Sequence, residues 1–517
     1  MHMNPIIGTD SYKVTHAPQY PPKTRGVSAY LEARGLSKEA RLMGFANTIV
    51  AFGALRPLLH DIFGTPVTHE HIEEAREFFA AHFGNDKLFN ITGWRRIVNQ
   101  HGGWLPLHVR AVPEGLHVPL SNILMRVDTT DEELPWLANY VETRLSHAWY
   151  PYTVATLSWN CKQTILKYLK ATGSPETIDF KLHDFGFRGV NSDEGAIIGG
   201  AAHLVNFQGS DTLPAIKMLR HFYGCHMAGF SIPAAEHSTI TSWGEAFEVD
   251  AYRNMLQQYP EGLVAVVSDS YDIYQACDTL WGTILRDEVM KRQGTLVIRP
   301  DSGDPVEVVL RVVSILYEKF GGTVNNKGFK VLDPHVRVIQ GDGVDPMSIG
   351  DVLRNLAQHG FSADNVGFGM GGALVQKVNR DTFKFAFKAS AINIDGAWHD
   401  VWKHPIDAGD KVSKRGRLTL YLDERRSSPT YNTFVTASSE LDNAKKPGTD
   451  MMQTMYFCGA VGSRHASFLG GIDTFEDIRA RANAEPRPSP RLMEYYNDDD
   501  EVDQHHVMHP AGYGAGV

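Results

Sequence analysis

Short apolar runs that break off into Asp, Ser, Arg or Gly recur through the middle of the chain. The segment 294–305 reads GTLVIRPDSGDP. Leu296, Val297 and Ile298 are too few for a helix and suit a strand buried on both faces. Arg299, Asp301, Ser302 and Asp304 follow at once; Asp304 suits an N-cap and Pro305 the first turn of a helix with apolar positions from Val306 to Leu316, which Gly321 can end. The same order of strand, polar elbow and helix start recurs in TIDFKLHDFGFRG (177–189), GLVAVVSDSYDIY (262–274), HVRVIQGDGVD (335–345) and DNVGFGMGGALVQ (364–376). Asp345 and Pro346 open a further helix with Gly360 as its stop. Any one elbow is better explained by turn and cap chemistry. Five at the same end of five strands predict a parallel α/β barrel with one shared site at the strands' carboxyl ends.

The flanks are patterned differently. Val27 to Arg34 alternates like a strand and carries Arg34, whereas Glu70 to Phe83 places Ile72, Ala75, Phe79 and Phe83 on one helical face before Gly84. His69 and His71 beside it sit at alternate positions and point apart, which argues against a metal pair. Trp136 to Leu169 reads as two apolar helical segments around Pro151. Beyond residue 390 the alternation is antiparallel in character, as in TFKFAFKASAINIDGAWHDVWKHP and GRLTLYLDE. The expected organisation is therefore residues 1–150 as the first part of a mixed α+β domain, 151–390 as the barrel, 391–483 as a β-rich return to the N-terminal domain, and 484–517 as a flexible tail.

Charge and cysteine content narrow the function classes. A net charge of -10 leaves no basic surface for nucleic acid, so an anionic ligand needs a local cluster of Lys and Arg. The four cysteines, Cys161, Cys225, Cys277 and Cys458, form no C-x-x-C pair, which fits a reducing compartment. The longest apolar stretch, 49–59, is interrupted by Arg56 and Pro57, and no leader pattern opens the sequence. A cytoplasmic protein without a membrane segment is expected.

The elbows carry recognisable chemistry. Gly341, Asp342 and Gly343, then Gly369, Gly371 and Gly372, are glycine-rich turns whose backbone N–H groups can close on a phosphate, with Arg380 as a fork-shaped counter-charge. Neither turn has the spacing of a P-loop or dinucleotide fingerprint, so a sugar phosphate is the better fit. His237 lies in a polar loop or helix start; Asp269 and Asp272 are carboxylates able to orient it or to hold ribose hydroxyls and Mg2+. Phe185 and Arg299 offer a flat ring and a flat guanidinium that can sandwich a heteroaromatic.

These residues lie in motifs that resemble the nicotinamide phosphoribosyltransferase family of type II phosphoribosyltransferases. TDSYKVTH, HDFGFRG, GSDT, PAAEHSTI, VSDSYDIY, VIRPDSGDP, VIQGDGVD, GGALVQKVNRD and KRGRL match in order over roughly residues 5–480. The resemblance implies an irregular (β/α) barrel with an additional β-rich α+β domain formed by N- and C-terminal segments, and a homodimer with active sites at its interface. It implies that Phe185 and Arg299 clamp nicotinamide, that Tyr12 of the partner subunit closes the stack, and that Asp211 accepts from the carboxamide NH2. Asp301 would hold ribose hydroxyls; Gly341, Asp342, Gly371, Gly372 and Arg380 would surround the 5'-phosphate of phosphoribosyl pyrophosphate. Arg34, Arg188, Lys388, Lys403 and Lys411 would face the pyrophosphate, with Mg2+ held mainly by pyrophosphate and water. The family's ATP-phosphorylated histidine falls on His237, beside the ribosyl site, and Asp272 is expected to orient it. The departures are Phe187, where the family can have tyrosine, and LEAR in place of FECR. The rival assignments are nicotinate phosphoribosyltransferase, with Asp211 as discriminator, and a non-catalytic sensor on the same fold; a barrel lyase would need a strand-end lysine not evident here.

Overall fold

The computed structural model describes residues 4–403, 406, 413–459, 461–462, 465–468 and 473–487. The described chain divides into two compact units, one holding residues 4–156, 222–224 and the described residues from 379 onward, the other residues 157–221 and 225–378.

The second unit is built on a wholly parallel six-stranded sheet. Its spatial order is Gly209–Ser210, Leu182–Asp184, Val366–Met370, Val336–Gln340, Leu296–Arg299 and Val264–Val267. Isolated parallel bridges join Phe230 to Gly209 and Ala234 to Ala265, so the segment 230–235 connects the two edge strands and closes an irregular barrel. Ala265, Val297 and Ile339 form a buried interior cluster against which Phe185 and Ile232 pack. Leu296 and Ile298, on the opposite strand face from Val297, are also fully buried, as expected of strands covered on both sides.

The helix starts read from the sequence are present with the expected caps. Asp304 accepts from the N–H groups of Val306 and Glu307 at the head of Pro305–Phe320, and Gly321 ends that helix at φ 77°. Asp345 accepts from Met347 and Ser348 ahead of Pro346–Gln358. Each cap satisfies N–H groups that the first helical turn cannot pair internally. Both helices thereby begin beside a strand's carboxyl end.

The first unit carries a seven-stranded antiparallel sheet in which Thr24–Ala33 pairs with Phe385–Ile394 on one side and Ile123–Thr129 on the other. Segments from both ends of the sequence thus share one sheet, and the fold is the barrel with an additional β-rich domain that the motif pattern implied. Here too Thr68 caps the helix His69–Phe83 and Gly84 ends it at φ 61°. His71 serves that cap, its Nδ1 accepting from the Thr68 N–H at 3.2 Å. Pro151 falls in the first turn of the long helix Trp149–Thr172, where its missing N–H breaks no helical bond.

Candidate functional site

A cavity of about 820 Å³ opens at the carboxyl ends of the barrel strands. Its walls are the elbows themselves: Phe185 and Phe187 to Asp193, Asp211 and Thr212, Arg299 and Asp301, Gly341 and Asp342, and Gly371 and Gly372.

The Phe185 ring and the Arg299 side chain converge on one point. A Cβ built on Gly341 would lie 3.1 Å from Asp301 Oδ1, 3.7 Å from Phe185 Cε2 and 3.8 Å from Arg299 Cδ. Phe185 is held by its N–H to Met370 O at 3.0 Å, and the next residue, Gly186, donates to Asp184 Oδ1 at 2.7 Å. Asp184 is buried, which raises its carboxyl above the ordinary range. It also receives the Ser210 hydroxyl at 3.4 Å, so one carboxyl ties together the Phe185 and Asp211 loops. HDFGFRG contains this residue, yet its polar signal reads as an elbow carboxylate like any other.

Arg299 Nη2 and Asp301 Oδ2 form an ion pair at 3.0 Å, while Arg299 Nε is buried without a protein partner among the described residues. Gly371 and Gly372, beside the Phe185–Gly189 elbow, leave room, since a Cβ on either would meet nothing closer than 3.6 Å. Gly369 has a different role from the phosphate turn expected of it. Its Cβ would fall 1.9 Å from Phe185 Cε2, so the absent side chain is the space occupied by the Phe185 ring. Gly369→Ala displaces that ring and raises KM for the flat substrate about tenfold, with a smaller change in kcat; steady-state kinetics beside a melting curve measures it.

His237 opens the short helix His237–Thr241 and is half exposed. Its Nε2 lies 3.0 Å from Asp269 Oδ1, and its Nδ1 lies 3.9 Å from Asp301 Oδ2. Asp269 Oδ2 accepts from the Asp301 N–H at 3.1 Å and the Ser302 hydroxyl at 2.6 Å. One buried carboxylate therefore couples the imidazole to the Asp301 loop. Asp272, expected to orient His237, instead turns Oδ1 to the N–H groups of Tyr274 and Gln275 at 2.9 and 3.1 Å, capping the following helical turn. That turn widens into a π-helix, Ala276–Ile284, from which the Trp281 indole donates to Ser268 Oγ at 3.1 Å and stacks on Tyr252. Ser268 precedes Asp269, so the strand end that presents Asp269 is fixed from behind.

Asp211 stands on the same rim. Its N–H donates to Asp184 O at 3.1 Å and its Oδ1 accepts from the Ser231 hydroxyl. Arg188 is exposed beside it in the cavity wall.

The remaining expected residues belong to the first unit. Tyr12 is exposed in the turn Ser11–Thr15, its ring edge-on to His16 at 5.2 Å. Arg380 begins no helix; it follows the brief Gly372–Val375 turn and accepts through its carbonyl from Phe385 N–H at 2.9 Å. Burial lowers the Lys388 ammonium from its ordinary range; Glu142 opposes the shift, and Lys403, Arg34 and Arg380 reinforce it. Arg34, Arg380, Lys388 and Lys403 are thus electrostatic neighbours, a charge concentration suited to a polyanion. Lys411 lies outside the described residues, as do the tail histidines His505, His506 and His509. Among the described residues, no three His, Cys, Asp or Glu side chains converge on a metal-sized point.

Comparison with known proteins adds independent findings. Residues 180–446 match the model of the nicotinate phosphoribosyltransferase family, and residues 4–109 match the nicotinamide phosphoribosyltransferase N-terminal domain. A nicotinamide phosphoribosyltransferase of Xanthomonas campestris pv. campestris (strain 8004) is 53% identical over 485 residues, 93% of this chain and 98% of that protein. In fold, the chain is similar to nicotinate-nucleotide pyrophosphorylase from Pyrococcus furiosus (TM-score 0.54, 13% identity, covering 93% of this chain and 97% of that one). It is also similar to human nicotinic acid phosphoribosyltransferase (TM-score 0.53, 15% identity, covering 95% and 99%).

Proposed function

The chain belongs to the nicotinamide phosphoribosyltransferase family of pentosyltransferases in NAD salvage, and from that premise we propose how its own residues carry the reaction. Nicotinamide and 5-phosphoribosyl 1-pyrophosphate condense to nicotinamide mononucleotide and pyrophosphate. The observation that carries the residue assignment is the convergence of Phe185, Arg299 and Asp301 on Gly341, with Asp211 on the same cavity wall. A ring slot flanked by a carboxylate suits a pyridine carboxamide.

Phe185 and Arg299 hold the pyridine flat, and Asp211 accepts from the carboxamide N–H. Asp301 receives the ribose hydroxyls, and its negative charge stabilises the cationic character that develops at the anomeric carbon. The pyridine nitrogen attacks that carbon with its lone pair, the bond to pyrophosphate oxygen breaks, and the electron pair leaves with pyrophosphate. No protein nucleophile or proton transfer is required. Gly341, Asp342, Gly371 and Gly372 surround the 5'-phosphate. Arg188, Arg34, Arg380, Lys388, Lys403 and Lys411 are the assigned counter-charges for the phosphate groups, with a homodimer as the working assembly and Tyr12 of the partner subunit closing the ring stack. Mg2+ would be held mainly by the pyrophosphate and water rather than by this chain's side chains, and would supply charge neutralisation of the leaving group.

His237 accepts the γ-phosphoryl group of ATP: a P–N bond forms, the P–O bond to ADP breaks, and water later takes the phosphoryl group. Asp269, hydrogen-bonded to the imidazole in the resting geometry, is assigned the orienting role in this cycle. We place the enzyme in the cytoplasm. Its four cysteines are buried and unbridged, and burial raises the thiols of Cys161, Cys277 and Cys458. No described helix is long and apolar enough to cross a membrane.

Nicotinamide mononucleotide formation from nicotinamide, phosphoribosyl pyrophosphate and Mg2+, with and without ATP and beside nicotinate, tests the assignment. Conversion of nicotinamide in preference to nicotinate, enhanced by ATP, is the expected outcome. Preference for nicotinate overturns the Asp211 role, and no turnover of either by the folded protein overturns the activity.

A further inference from the structure

Asp211 is held tightly by its backbone and lightly by its side chain. Its N–H donates to Asp184 O at 3.1 Å, its carbonyl accepts from Leu213 N–H at 3.1 Å, and the next residue, Thr212, donates its N–H to Ser210 Oγ at 3.0 Å. With the loop so fixed, the freedom left is rotation of the carboxylate. The Ser231 hydroxyl donates to Oδ1; Oδ2 has no hydrogen-bond partner among the described residues. Ser231 itself is carried by the 230–235 segment that closes the barrel, where Phe230 N–H donates to Gln208 O at 2.7 Å and Ser210 N–H to Phe230 O at 3.1 Å. The hydroxyl therefore approaches Asp211 from a part of the barrel anchored to the same strand end.

Resting on the nicotinamide assignment above, we infer that Ser231 is a specificity-determining positioning residue, which occupies one oxygen of Asp211 and so fixes the other as the acceptor for the carboxamide N–H. A carboxylate anchored through one oxygen presents a single directed acceptor, which matches an amide N–H and confronts the carboxylate of nicotinate with an unmoving like charge. Released from Ser231, Asp211 can rotate. The contact with the amide then costs side-chain ordering, and the repulsion of the acid is relieved by the same motion. Ser231 makes no contact with substrate in this scheme; it acts through Asp211.

The experiment is steady-state kinetics of the full chain with nicotinamide and with nicotinate, comparing the unsubstituted enzyme with Ser231→Ala and Ser231→Thr. For Ser231→Ala, KM for nicotinamide rises about tenfold with little change in kcat, and kcat/KM for nicotinate holds or rises, so the amide-to-acid ratio falls by about tenfold or more. Ser231→Thr, which keeps the hydroxyl, restores most of the ratio. An unchanged ratio in a Ser231→Ala protein of normal melting temperature overturns the inference while leaving nicotinamide as the substrate. Equal losses for both substrates also overturn it, because they mark a merely structural hydroxyl. If the unsubstituted enzyme itself prefers nicotinate, the nicotinamide assignment fails, whatever Ser231 does.

Discussion

Asp211→Ser lowers kcat/KM for nicotinamide by about one to two orders of magnitude and brings nicotinate to comparable or better turnover. Two effects act in opposite directions on the two substrates. The amide loses a hydrogen bond to a charged acceptor, worth about 1.5–3 kcal/mol, or roughly 10- to 100-fold. The acid is relieved of a like charge, and two carboxylates about 4 Å apart repel by about 4 kcal/mol at the effective dielectric of a protein surface. Asp211 is exposed on the cavity rim, so water screens the repulsion and about half that figure is the better guide. The ratio of the two kcat/KM values therefore shifts by about a thousandfold, with the acid and the amide contributing about equally. Parallel progress curves with both pyridines measure it. A serine variant that loses both activities in step would mean that the Asp211 carboxylate serves only to hold the Ser231 hydroxyl and its segment.

The barrel was legible because each strand combines an apolar run with an abrupt polar end. Leu296 to Ile298 and Val264 to Val267 announce buried strands, and Asp304–Pro305 and Asp345–Pro346 announce helix starts that the structure places where they were expected. The closing segment 230–235 was not legible as a strand. It joins its neighbours by isolated bridges and leaves Phe230 exposed, so it has neither the length nor the burial pattern of a strand. Within the site, spacing alone could not separate Asp269 from Asp272. Both stand in SDSYDIY, and only the turn of the chain decides which carboxylate faces His237 and which faces its own helix. A cap signal was available, since Asp272 directly precedes a helical run, and that is the position where Asp satisfies free N–H groups. Gly369 misled for a related reason: a glycine that makes room for an aromatic ring and one that admits a phosphate look identical in sequence. Ser231 had no signal at all, because its partner Asp211 lies twenty residues away on another strand end.

His237→Ala abolishes the response to ATP while ATP-independent synthesis falls by no more than about tenfold, less than the roughly 100-fold at which a general acid–base contribution begins. In the proposed reaction the displacement at the anomeric carbon rests on the ring clamp, Asp301 and the phosphate counter-charges, and none of these is removed with the imidazole. The proposed phosphoryl–enzyme is carried by the imidazole itself, so the ADP released per nicotinamide mononucleotide is expected to drop to the background of ATP hydrolysis without enzyme. The two carboxylates of SDSYDIY then separate by function. Asp269→Asn keeps a hydrogen bond to His237 but removes the charge that stabilises a cationic ring, and ATP coupling weakens. Asp272→Asn retains a capping oxygen and leaves coupling intact; Asp272→Ala loses the cap and lowers stability by about 1 kcal/mol. Product yield and ADP stoichiometry with and without ATP, measured beside thermal melting curves for each variant, distinguish these outcomes. Should ATP still accelerate His237→Ala, or should Asp272→Asn rather than Asp269→Asn uncouple it, the phosphoryl group is carried elsewhere or the imidazole turns to Asp272 once ATP is bound.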